Sequence, residues 1–71
     1  MEKSATVMAR RRELRNEKIE SILSKMQEQL AWDEMEAAAM DEAGRIQEME
    51  LYDKAAAARR EDIALVRSLL E

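Results

Sequence analysis

The sequence contains no cysteine, histidine, proline or phenylalanine, and its 71 residues include a single glycine, Gly44. Each absence removes a class of protein. Without cysteine there is neither a disulfide framework nor thiolate chemistry. Without histidine as well, most transition-metal sites and acid–base catalysis near neutral pH lose their usual residues. One glycine cannot build a glycine-rich loop around a phosphate. The same shortage of glycine and proline removes the turn chemistry of hairpins and strand-rich folds. The only aromatic residues are Trp32 and Tyr52, so the apolar 46% of the chain consists mostly of Ala, Leu, Ile and Met. That inventory fills a narrow seam between helices better than a globular centre. No apolar run approaches the roughly 20 residues needed to span a bilayer. The opening Met1-Glu2-Lys3-Ser4 lacks the hydrophobic stretch of a secretory signal, which leaves an intracellular setting as the default.

What is present favours helix throughout. Ala, Glu, Arg, Leu and Met lose least on entering a helix, and 39% of the residues are charged. The expected fold is all-α, either a helical hairpin or one long, kinked, coiled-coil-like helix. A chain this short forms one unit at most, near the size below which a single core rarely stabilises a domain, so a partner is expected.

Charge is uneven along the chain. Residues 1–20 carry six basic and four acidic side chains, residues 21–54 three and nine, and residues 55–71 three and three, which sum to the net −4. A basic start and an acidic middle suit complementary helix pairing, and the overall sign opposes indiscriminate binding to polyanions.

Two apolar registers are legible. In the first half Ala5, Met8, Ile19, Ile22, Leu23, Met26 and Leu30 share a stripe that also carries Arg12 and Arg15, with Val7 and Leu14 on the opposite side. In the second half Met35, Met49, Ala56, Ile63 and Leu70 recur in sevens, interrupted by Glu42. Ala38, Tyr52 and Val66 follow three residues after members of that series, and Arg45 and Arg59 are its polar d positions. The step from Met26 to Met35 is nine residues, which breaks the phase between the halves. Asp33 followed by Glu36 resembles a capping box, and Trp32 before it fits a hydrophobic staple. The spacing therefore predicts helices over about 4–31 and about 34–70, with a corner near 31–34. The alternative corner is Asp41-Glu42-Ala43-Gly44, where glycine supplies the left-handed conformation of a helix end. Asp41 and Arg45, at i,i+4 spacing across that glycine, argue for helix continuing through it.

No catalytic, metal or cofactor constellation stands out. Glu34 with Glu36, and Asp41 with Glu42, read as solvated helix surface. The chain is therefore expected to be no enzyme, with no cofactor and no small-molecule substrate. The expected function is a small helical protein–protein interaction subunit, a structural piece of a larger assembly or a co-chaperone covering a partner's apolar helix, with self-association satisfying the same pattern. Partner-binding candidates are Ile19, Ile22, Leu23, Met26 and Leu30 on one face, and Met49, Tyr52, Ile63, Val66 and Leu70 on the other. In a hairpin these two faces bury each other, and any apolar remainder becomes the partner site. Arg10, Arg11, Arg12 and Arg15 are candidate electrostatic contacts. They also define the alternative function, a nucleic-acid-binding helical hairpin, which the absence of interleaved aromatics makes the weaker of the two. Residues 62–70 resemble the end of the small helical-hairpin protein of the large ribosomal subunit. That likeness covers nine residues of helix in an acidic chain, and no residue role is carried over from it.

Overall fold

The computed structural model describes residues 2–70, with side chains from residue 5. Two helices, α1 (Glu2–Glu42) and α2 (Ile46–Arg67), account for 63 of these 69 residues, and they fold back on one another as a hairpin. The molecule measures 64 × 14 × 9 Å. Its long dimension matches the roughly 60 Å expected for 41 residues at 1.5 Å each.

The corner lies at residues 43–45. There Gly44 adopts φ +73°, a left-handed conformation that a side chain disfavours. The Arg45 N–H donates to the Met40 carbonyl at 2.8 Å and the Gly44 N–H to that of Asp41 at 3.0 Å, so carbonyls at the end of α1 are satisfied within the turn. The first residues of α2 follow at once, with the Met49 N–H bonded to the Arg45 carbonyl. Arg45 is the residue before α2 and makes no side-chain cap. Its guanidinium pairs with Glu48, one turn ahead, rather than with Asp41 behind it.

The corner expected near 31–34 is therefore absent. α1 runs unbroken through Trp32 and Asp33, and its inward row is Ile19, Leu23, Met26, Leu30, Asp33, Ala37 and Met40, all buried or half-buried. The spacing alternates between four and three residues, a continuous heptad seam. It looked broken in the sequence because two of its members, Asp33 and Ala37, do not look like core residues. Asp33 caps nothing: it is only 7% exposed and accepts a 3.0 Å hydrogen bond from Arg59 Nε on α2. Met35, expected in the seam, is 68% exposed on the outer side, and Ala38 and Glu42 are exposed as well. The series of sevens holds on α2, where Met49, Tyr52, Ala56, Arg59, Ile63 and Val66 face inward, as does Leu70 just after it. It does not extend back across the turn, because Gly44 resets the phase.

The centre is small. Ile19, Leu23 and Ile63 are buried together, with Met26, Leu30, Val66 and Leu70 packed against them. Nearer the turn the two seams narrow to Ala37 and Ala56. Small side chains there let the backbones approach.

Candidate protein-docking face

Among the described residues two ion pairs join the helices, and together they orient the hairpin. Arg59 on the α2 seam reaches Asp33 on the α1 seam, and Arg60 Nη2 donates to Glu34 Oε1 at 2.9 Å. Arg60 and Glu34 each stand one residue after a seam position. Residues one place after the seam on either helix therefore lie on the same side of the hairpin, and residues one place before it lie together on the other side. One residue is about 100° of helix rotation.

The two sides differ in chemistry. On the first side α1 presents Glu20, Gln27, Glu34 and Asp41, and α2 presents Asp53, Arg60 and Arg67, interleaved with Ser and Ala. This is a polar, solvated surface. On the opposite side α2 presents Leu51, Ala55, Ala58, Asp62 and Leu65, followed by Leu69 in the turn after it, all exposed, at alternating four- and three-residue spacing. Ile22, Trp32 and Ala39 of α1 lie on that side too, among Lys25, Gln29 and Glu36. Leu65 is 68% exposed and Trp32 58%. α2 thus carries two heptad seams about 100° apart, one covered by α1 and the other open to solvent.

The partner-binding candidates divide accordingly. Ile19, Leu23, Met26, Leu30, Met49, Tyr52, Ile63, Val66 and Leu70 lie in the inner seam, where the two predicted faces cover each other. Ile22 alone is on the outer apolar side. The apolar remainder was missed in the sequence because Leu51, Leu65 and Leu69 make no stripe of their own until the seam one residue away is known to be occupied.

Leu70 packs against the cluster of Ile19, Leu23 and Ile63, and among the described residues nothing of α2 lies farther along α1. The preceding residues of α1 project beyond the hairpin as an arm in which residues 5–15 are exposed. Arg10, Arg11, Arg12 and Arg15 all lie on this arm, with Val7, Met8 and Leu14 exposed among them. Arg12 and Arg15 make polar contacts of their own.

Among the described residues no group of three or more acidic side chains is placed to hold a metal ion, and no helix is long and apolar enough to cross a membrane. The concavities are open hollows along single helices and the turn. No protein-family model, no curated protein and no solved structure matches this chain.

Proposed function

We propose that the protein is a small, non-catalytic interaction subunit that receives a partner helix along the outer seam of α2. One observation carries the reading: Leu51, Ala55, Ala58, Leu65 and Leu69 repeat the spacing of a packed seam while remaining exposed. A monomer gains nothing from such an arrangement, because single exposed apolar residues are ordinary and a contiguous row at helix-packing spacing is not. Two seams a quarter-turn apart are what a helix needs in order to contact two neighbours, as in three- and four-helix bundles. Asp62, the one polar member of the outer row, calls for a cation opposite it, much as Asp33 is met by Arg59 in the inner seam.

Photo-crosslinking in cells of the native source tests this. A photoreactive residue at Leu65 should give protein adducts, and one at Ala64, on the polar side, should not. Changing Leu51 and Leu69 to Asp should remove the adducts while leaving helix content unchanged. Adducts of equal yield from both sides would contradict the reading.

The arm supports a second reading. Arg10, Arg11 and Arg12 stand on the part of α1 that α2 does not cover, which suits contact with a phosphate backbone. The acidic hairpin body behind the arm weighs against it.

A further inference from the structure

The chain exposes 5922 Å², whereas a folded monomer of 8.2 kDa should expose about 4,500 Å² by the size scaling of compact proteins. The excess, about 1,400 Å² per chain, is what each partner contributes to an extensive, obligate interface rather than a transient one. The radius of gyration agrees, at 18.0 Å against about 11 Å for a compact chain of this length.

The chain itself contains a fitting occupant. The arm before Ile19 is about 25 Å long at 1.5 Å per residue, which is most of the roughly 33 Å of α2. Residues 10–18 carry five basic side chains and two acidic ones, whereas the outer apolar side of the hairpin carries Glu36, Glu48 and Asp62 against Lys25. An arm pairing with another arm would set Arg10–Arg12 against their own copies. An arm lying along another molecule's hairpin sets opposite charges together.

We propose that the apolar side of the hairpin is covered by the basic arm of a second copy, the two chains being related by a two-fold axis near Ile22. The proposal rests on the reading of that side as a docking face. The register follows from the sequence. The arm's own row one place before its seam is Met8, Arg11, Arg15, Lys18 and Ile22, with the same alternating spacing as the outer row of α2. Laid parallel with an offset of 47 residues, Met8 faces Ala55, Arg11 faces Ala58, Arg15 faces Asp62, Lys18 lies along Leu65 and Ile22 meets Leu69. Met8 and Arg11 then oppose alanines, the Lys18 stem packs along Leu65, Ile22 meets Leu69, and Asp62 gains a cation. A shift of one heptad either way sets Asp62 against Ile22 or Met8, burying a carboxylate on an apolar side chain. The arrangement is self-consistent: α1 of each copy lies antiparallel to the other, and every arm overlies the other hairpin.

Sedimentation equilibrium on the full chain, as a function of concentration and salt, is the first test. The expected mass is twice 8.2 kDa, and dissociation should increase with salt. Leu65→Lys should weaken the dimer at least about 30-fold, because it removes a central apolar anchor and sets a second cation against Lys18, with circular dichroism confirming that the hairpin persists. Arg15→Glu should weaken it too, and adding Asp62→Arg should restore it. Register is read by a Met8→Cys, Ala55→Cys variant. Within one hairpin these positions are about 40 Å apart along the axis at 1.5 Å per residue, so a rapid disulfide joins two chains. The control pair Met8→Cys, Ala57→Cys, on the polar side, should oxidise slowly. A monomer at all concentrations, a dimer indifferent to Leu65→Lys, or equal oxidation of both pairs would overturn the proposal. A monomer whose position 65 still crosslinks to another protein would overturn self-pairing alone; loss of those adducts as well would overturn the docking face.

Discussion

Asp33 and Arg59 show how one polar contact can decide the alignment of two helices. Asp33 stands at a seam position, 7% exposed, and is satisfied by a guanidinium 26 residues away in the chain. Any sliding of α2 by a heptad would leave the carboxylate against an apolar neighbour. Removing only the cation, by Arg59→Met, should cost about 2–3 kcal/mol, because a mostly buried charge loses its partner while the remaining exposure of Arg59 limits the penalty. Replacing both residues by Leu should recover most of that stability. Urea denaturation of the three variants measures this, and a double variant as unstable as Arg59→Met would refute it. Gly44 acts at the same scale through φ alone. A Cβ there would meet nothing within 4 Å, so Gly44→Ala should cost about 1–2 kcal/mol from the left-handed backbone and nothing from crowding. Gly44→Asn, which tolerates that region better, should cost less.

At the scale of the helices, stability depends on a thin core. Ile63 is buried with Ile19 and Leu23, so Ile63→Asp should cost several kcal/mol and melt α2, whereas Glu61→Lys, on the exposed side, should change little. Comparable loss of helicity in both would mean that the inner face is assigned wrongly. This face of α2 was readable in the sequence because Met49, Ile63 and Leu70 mark its spacing with large side chains. The seam of α1 was not, beyond Leu30. An acid and an alanine occupy positions where a large apolar residue is expected, and only the matching arginine on the other helix explains the acid. Two heptad patterns with one unlike-charged member each are the signal that joins them. The corner was misplaced for a related reason. Asp33 and Glu36 satisfy the pattern of a helix start, but Asp33 is engaged across the hairpin, and the backbone there never leaves the helix. The outer apolar row became visible only once the inner one was placed, since the two interleave along the same 22 residues.

For the molecule as a whole, the arm and the body carry opposite charge. If the basic arm served nucleic acid, changing Arg10, Arg11 and Arg12 to Gln would abolish binding and reduce the salt slope by about one for each lost phosphate contact. The unaltered protein should show no such binding near physiological salt, because the acidic body repels a polyanion and no aromatic stands beside the arginines to stack on bases. Submicromolar, salt-sensitive binding to RNA or DNA would reverse the order of the two functional readings.

All of these expectations depend on the chain turning back at Gly44, and a distance between spin labels at Glu28→Cys and Glu61→Cys tests that most directly. Both positions are exposed, and the hairpin register brings them to the same level. In the hairpin, helix axes 8–10 Å apart with labels on their outer sides give about 20–30 Å. The measurement is made with labelled chains diluted in unlabelled ones, so that only distances within a chain contribute. A distance near 50 Å, the span of 33 residues of uninterrupted helix at 1.5 Å each, would contradict the hairpin and with it the exposed second seam.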